Sequence, residues 1–225
     1  MFLRLQHVLA LCNIRMHRHC EAVDVIRRLL GFCPEDQLGV RLLLGPELLR
    51  CGCVAEARTF LLRYQTLHPS YSYELGLSFL LESDWVQAAT ALRQGFVNNP
   101  YIAEILCGNP GPQALTVWHA SPYEQPEAAQ DYLDAYADLW HETAGSQRFM
   151  HWLFHHPAVL AERAEVLLCK EALRWEREGK VREQWLATLE KRFQAIDDSL
   201  SHDIVIPHTD MDGRRGYPWE LSLRL

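Results

Sequence analysis

Three stretches of the chain repeat one spacing of small residues and proline, and this spacing constrains the fold more than any other sequence feature. In each stretch an alanine precedes a proline by twelve positions: Ala22 and Pro34, Ala57 and Pro69, Ala88 and Pro100. Another small residue precedes each alanine by twelve positions: Ala10, Gly45 and Gly76. Small residues at both places let two antiparallel helices approach closely, and proline ends the second helix because it lacks a backbone donor. The sequence therefore predicts three helical hairpins, over residues 3–34, 38–69 and 71–100.

The period of these hairpins resembles that of the tetratricopeptide repeat (TPR), a helix–turn–helix unit of about 34 residues. The second and third units match its small and apolar positions most fully: Leu44, Gly45, Ala57, Leu61 and Pro69, then Leu75, Gly76, Ala88, Leu92 and Pro100. Pro46 departs from the pattern, because a proline inside the first helix of a unit should kink or shorten that helix. The resemblance implies an all-α fold, a TPR-like α-solenoid of about three hairpins. The alternative is a set of unrelated hairpins in an ordinary helical bundle.

A more particular resemblance covers residues 36–155. It is carried by the run from Asp36 to Leu44, by the run from Asn99 to Gly108, and by Trp140, Gly145 and Trp152. These segments are similar to the repeat-bearing module of the suppressor-of-tumorigenicity-seven-like family and its bacterial relatives. The resemblance implies a fold and an interaction role, and it brings no catalytic residues with it.

Beyond the repeats (1–108), the pattern predicts a loop over 109–126, a C-terminal helical region over 127–200 and an irregular tail over 201–225. Apolar residues at helical spacing favour a long helix from Ala158 to Glu178 that stops at Gly179, then a second helix from about Trp185 to Leu200. The short connection between them predicts an antiparallel hairpin. The tail either docks on the body of the protein or reaches out from it.

Charge and cysteine content limit the class of protein. The formal charge is −7, which argues against a nucleic-acid binder because such a protein needs a cationic face. No run approaches 18 apolar residues, so we expect no membrane span. Seven cysteines, an odd number with no Cys-x-x-Cys pair, favour reduced thiols over a disulfide framework. We therefore expect a cytoplasmic protein.

The negative charge is concentrated in the middle of the chain. Residues 71–145 contain ten acidic side chains and a single basic one, Arg93, for a net charge of −9. A surface of this kind attracts a basic partner, although a solvated helical face has the same composition. We expect a cationic partner to be found first around the third repeat and the helix after it.

In a TPR array the first helix of each unit lines the concave groove, which identifies candidate partner-binding residues. All but two of them are aliphatic: Leu11, Ile14, Leu42, Leu43, Leu49, Tyr73, Glu74, Leu77, Leu80 and Leu81. The Lys and Asn residues with which the chaperone-binding subclass holds a terminal carboxylate are absent from the matching places. An apolar groove either receives a helix or peptide from a partner or is filled by the C-terminal helices of the same chain. We favour the second explanation, because large open apolar patches are unusual on soluble monomers.

The histidines offer the one competing chemistry. His151, His155 and His156 lie at helical spacing that a divalent metal could use, and His202–Asp203 and His208–x–Asp210 are similar to metal dyads. These patterns lack the further ligands of a metal site, so we expect no metal or other cofactor. The preferred interpretation is a non-enzymatic scaffold or adaptor that binds a basic or amphipathic segment of a protein partner, and the alternative is a metal-dependent hydrolase. A third hypothesis is a homo-oligomer in which Tyr217 and Trp219 insert into a neighbour's groove.

Overall fold

The all-α class predicted from the sequence is confirmed by a computed structural model, which describes residues 1–221. Its helices are α1 Phe2–Arg15, α2 His19–Phe32, α3 Arg41–Arg50, α4 Val54–Tyr64, α5 Pro69–Leu80, α6 Trp85–Asn98, α7 Pro100–Leu106, α8 Pro126–Glu142, α9 Ser146–Phe154, α10 Pro157–Trp175, α11 Gly179–Gln194, α12 Asp198–Ile204 and α13 Pro218–Leu221. Two short strands, β1 His208–Thr209 and β2 Arg215–Gly216, pair antiparallel. Short 3-10 turns at Gln65–Leu67 and Pro122–Glu124 complete the regular structure of the described residues.

The first six helices form three consecutive hairpins, α1–α2, α3–α4 and α5–α6, and each helix also packs against the next one along the chain. The small residues of the repeat lie where these helices meet. Ala10, Ala22, Ala57 and Ala88 are fully buried. Gly76 of α5 lies so close to α6 that a Cβ added there would be 2.6 Å from Cγ of Leu92. The close helix approach that these residues predicted is therefore present in the structure.

Pro46 lies inside α3, as the sequence indicated, and α3 is the shortest first helix of the three hairpins. It has 10 residues, against 14 in α1 and 12 in α5. Proline cannot donate the hydrogen bond that would reach back four residues. The short length of α3 is consistent with the loss of this backbone hydrogen bond at Pro46.

The prolines after the hairpins do more than end a helix. Pro69 and Pro100 are the first residues of α5 and α7. Proline suits this position because its fixed φ is helical and its missing donor has no helical partner there anyway. The preceding side chains cap the new helices: Nδ1 of His68 accepts from the Ser70 amide at 3.3 Å, and Oδ1 of Asn99 accepts from the Tyr101 amide at 3.0 Å. Pro69 and Pro100 therefore mark helix starts, whereas Pro34 lies in the turn between α2 and α3.

The predicted boundaries in the C-terminal hairpin are wrong. The helix that was expected to stop at Gly179 ends at Trp175, and Gly179 is the first residue of α11. The Glu176 carboxylate makes the turn by accepting the amides of the next two residues, each at 2.8 Å. The second helix also breaks earlier than predicted, because Asp197 caps a separate helix, α12.

Two apolar clusters hold the helices together. The larger one runs from α1 to α10 and includes Trp219 of the tail. The smaller one joins the α10–α11 hairpin to α6; its buried members are Val97, Val166, Cys169, Leu173, Leu189 and Ile196. The C-terminal helices are therefore anchored on the third hairpin.

The segment after residue 200 is more regular than predicted. Besides the end of α12, it forms the β1–β2 pair and α13. Trp219 is buried against the ring of Phe149, 4.7 Å between centroids, and against that of Trp152, 4.6 Å away. The described part of this segment thus docks on its own chain, and positions 222–225 of the predicted tail lie outside the described residues.

The expectation that all cysteines are reduced thiols is corrected by the structure. Cys20 and Cys51 form a disulfide, with their Cα atoms 5.2 Å apart. Cys20 lies in the first turn of α2 and Cys51 directly follows α3, so stacking of the first two hairpins brings them together. The sequence gives no sign of this pairing, because the two residues are 31 positions apart and the cysteine count is odd.

Within residues 1–221, no helix combines the length and the apolar character needed to cross a membrane.

Candidate functional site

Half of the predicted groove residues lie in the protein interior. Leu49, Tyr73, Glu74, Leu77 and Leu80 are buried. Leu11, Ile14 and Leu43 are half-buried, and Leu42 and Leu81 are exposed. In the second and third hairpins the groove is thus occupied by the chain itself, and the five buried residues offer no surface to a partner in this conformation.

Helix α8 is part of that cover, and an arginine holds it in place. Arg50, at the end of α3, donates from Nε to Asp138 of α8 at 3.0 Å and from Nη2 to the Ala135 carbonyl at 2.7 Å. It also pairs with the buried Glu47 at 2.8 Å. Trp140 of α8 also contacts the ring of Tyr73 in α5, with ring centroids 6.4 Å apart. These contacts explain why the predicted groove is filled.

Glu74 is the one ionisable carboxyl among the predicted groove residues. Its Oε1 accepts a hydrogen bond from the Ser70 hydroxyl at 3.2 Å, while Oε2 is buried without a hydrogen-bond partner. Burial raises the pKa of this carboxyl well above its usual range. Burial therefore favours the neutral form of this carboxyl, which suits a packed helix interface.

This burial predicts a pH dependence of stability. Above about pH 4.3 the unfolded chain releases the Glu74 proton while the folded chain retains it, so folding loses stability as pH rises. Glutamine does not titrate. We therefore expect the free energy of unfolding of Glu74→Gln, relative to that of the native chain, to increase by at most about 1.4 kcal/mol per unit rise in pH. Urea unfolding between about pH 5 and pH 7 measures the difference.

A surface carboxylate provides the control for this pH series. Glu82 lies on the surface, where it pairs with Arg58 at 2.7 Å, and Glu82→Gln makes the same chemical change without altering the interior. A stability difference between Glu74→Gln and the native chain that does not grow with pH, or that Glu82→Gln reproduces, would contradict a raised pKa at Glu74.

The histidines singled out by the sequence do not form a metal site. His151 and His155 stack with ring centroids 4.4 Å apart, and Nδ1 of His155 lies 2.8 Å from the His151 carbonyl. Asp210 accepts the amides of Asp212 and Arg214 at 2.9 and 2.8 Å, which makes it part of a turn. In the described part of the chain, no three His, Cys, Asp or Glu side chains come together as a metal-binding group.

Two large open cavities lie between the third hairpin and residues of α11 and α12. One chamber of about 650 Å³ lies between the α4–α5 connection and α11. A second chamber of about 510 Å³ lies between the end of α4, α5, α6 and the start of α12. Gln65 and Gln94 line both chambers. We call the two chambers together the amide cleft.

Side-chain amides set the chemistry of the amide cleft. Gln65 donates to the Gln94 side chain, and Gln94 donates to the Ile196 carbonyl at 3.1 Å. Gln87 donates to Asp198 at 2.7 Å. Between these groups lie apolar side chains from both walls: Leu62, Leu67, Leu75, Phe79, Phe193 and Ile196. A surface of amides and apolar groups suits the backbone and side chains of an extended peptide.

Among residues 1–221, the charged groups that line the amide cleft are all acidic: Glu124, Glu190, Asp197 and Asp198. Of these, Glu124 is paired with Lys170 at 2.9 Å. Hydrogen bonds from Ser199 hold the pKa of Asp197 below its usual range, so this carboxylate stays ionised. Burial lowers the pKa of His68, also in the lining, to about 4, so its ring is neutral at neutral pH. The cleft therefore has a negative potential that favours a cationic ligand.

The amide cleft could not be located from the sequence. Its walls come from residues about a hundred positions apart, such as Gln94 and Ile196, and they meet only because α12 packs on α6. The glutamines at 65, 87, 94 and 194 are the one available signal, and their spacing follows no repeat.

Comparison with protein-family models, with curated proteins and with solved structures finds no match to this chain.

Proposed function

We propose that this protein is a non-enzymatic interaction module, with TPR-like hairpins, that binds a basic and extended segment of a partner protein in the amide cleft. The observation that carries the proposal is the lining of the cleft within residues 1–221, which combines four carboxylates, one of them paired with Lys170, and several side-chain amides with no lysine or arginine. Amides can bind the backbone of a peptide, and the carboxylates favour lysine or arginine side chains on it.

The acidic face of α8 lies outside the cleft lining but favours the same kind of partner. Five acidic residues of α8 succeed one another at helical spacing: Glu127, Asp131, Asp134, Asp138 and Glu142. Of these, Asp138 is paired with Arg50. This face raises the local concentration of cations and speeds the approach of a basic segment, whereas short-range contacts in the cleft select it.

Fluorescence anisotropy with two matched peptides tests the proposal. One labelled peptide alternates lysine with alanine, and the other replaces every lysine by glutamate. We expect the lysine peptide to bind, more weakly as salt is added, and the glutamate peptide not to bind. Equal binding of both peptides, or of neither, would overturn the proposal.

Charge variants locate the binding surface. The double change Glu190→Gln and Asp198→Asn should weaken the lysine peptide about fivefold, as expected from two partly exposed ion pairs of roughly 0.5 kcal/mol each. Glu183→Gln is the matched control, because Glu183 is an exposed acid of the same helix, α11, outside the cleft lining. An equal loss in both variants would show attraction by net charge alone, and would argue against the cleft.

A further inference from the structure

Helix α1 is apolar on two faces, and only one of them is covered. The inner face packs against α2 through residues such as Ala10 and Leu3. The outer face is a stripe, here called the α1 stripe, in which spacings of three and four residues alternate; its members are Phe2, Leu5, Leu9, Cys12 and Met16, flanked by Met1 and Val8. All seven are exposed. Within residues 1–221 no other helix packs on this outer face, so the stripe is a candidate contact surface.

The area of the stripe is large for an uncovered surface. Phe32 of α2 extends it, with its ring 5.5 Å from that of Phe2. The larger side chains in it, apart from Met1, are each between 43% and 64% exposed. Six large apolar side chains, each about half exposed, together expose several hundred Å², the size at which a patch on a soluble protein marks an interaction site. A standard interface takes roughly 800 Å² from each partner, so neighbouring residues complete the contact.

The spacing of the apolar residues indicates which kind of partner packs on the stripe. A row with alternating spacings of three and four residues is the seam along which two helices pack side by side. The first four members, Phe2 to Cys12, have spacings of three, four and three, which are the same read backwards, so they are complementary to themselves when two copies run antiparallel. In that arrangement Leu5 of each copy faces Leu9 of the other, and Phe2 faces Cys12. A two-fold symmetric contact requires this kind of self-complementary surface.

We propose that the α1 stripe is the dimer interface of this protein, in which a second copy packs its α1 antiparallel against it. The interface is independent of the amide cleft, which lies on α4–α6, α11 and α12. Residues 1–20 contain three arginines and no acidic residue. The dimer contact therefore joins two positively charged helices through apolar side chains. Added salt screens the repulsion between their arginines and so strengthens dimerisation.

Sedimentation equilibrium over a range of concentrations tests the dimer. We expect the native chain to dimerise, and Leu9→Arg or Leu5→Arg to weaken dimerisation at least about tenfold, because each places a charge in the seam. Both side chains are exposed, so circular dichroism should show an unchanged fold. Leu168→Arg, at an exposed leucine of α10, is the matched control and should dimerise normally. A native chain that stays monomeric would overturn the proposal, and so would a dimer that survives both stripe variants.

Cys12 gives a second readout of the same contact. It is a free, exposed thiol within the stripe, so dimerisation should slow its reaction with N-ethylmaleimide as protein concentration rises, measured by peptide mass spectrometry. Leu9→Arg should remove that concentration dependence. A dimeric sample in which Cys12 reacts as fast as in the monomer would place the interface elsewhere.

Discussion

We expect Arg93→Met to lower the free energy of unfolding by about 3–5 kcal/mol, the usual cost of removing one partner from a buried ion pair. The Arg93 side chain is 1% exposed, and its guanidinium forms a two-bond contact with Glu162 of α10. It also donates to the Asp197 carbonyl and to the Ser201 hydroxyl, both at 2.8 Å. One side chain of α6 thus links α10 and α12, and without it Glu162 loses its ion-pair partner and α12 loses two hydrogen bonds to α6.

A surface ion pair between neighbouring helices controls for charge alone. Arg192 of α11 pairs with Glu165 of α10 at 2.6 Å, and their side chains are 50% and 53% exposed. We expect Arg192→Met to change stability by less than about 1 kcal/mol. Urea unfolding measures both variants, and an equal effect of the two would contradict a structural role for the Arg93 network.

The second large effect is expected at Gly76, where α5 and α6 are closest. A Cβ at this position would lie 2.6 Å from Cγ and 2.7 Å from Cδ2 of Leu92, and 3.4 Å from the Ala88 carbonyl. Valine adds two further methyl groups in a fully packed place, so Gly76→Val should cost about 3 kcal/mol or separate the two helices. Thermal and urea unfolding detect this loss.

Gly31 of α2 provides the comparison, because an added Cβ there meets no atom within 4 Å. Valine has a somewhat better helix propensity than glycine, so Gly31→Val should leave stability unchanged or raise it by less than about 1 kcal/mol. Comparable losses at both glycines would mean that helix propensity, and not the close approach, determines the effect.

The sequence contained most of the information about the repeats. Small residues at Ala10, Gly76 and Ala88 predicted helix contacts because steric fit is local and periodic, and all three lie at such contacts. The break between α11 and α12 was not visible, because Asp197 caps a helix in the middle of an apolar pattern that continues through Ile196 and Leu200.

Long-range contacts account for the features that the sequence could not reveal. Arg93 stood out as the one basic residue of the acidic middle region, yet nothing in its neighbourhood pointed to Glu162 or Ser201. The position of the amide cleft depends on the same packing of α10–α12 against α6. For the groove, the sequence did not show that Tyr73 and Leu77 are buried by the chain itself.

The linker between α6 and α7 is a single residue, so we expect inserted sequence to be poorly tolerated there. Asn99 is the whole connection between α6 and α7, and its side-chain amide also donates to the Tyr123 and Gln125 carbonyls at 2.9 and 3.3 Å. An epitope or fluorophore tag inserted there would disconnect the third hairpin from α7 and the helices after it. Gln113 and Ala114 are both exposed in the long stretch between α7 and α8, so the peptide bond between them is the insertion point of choice for labelling the protein.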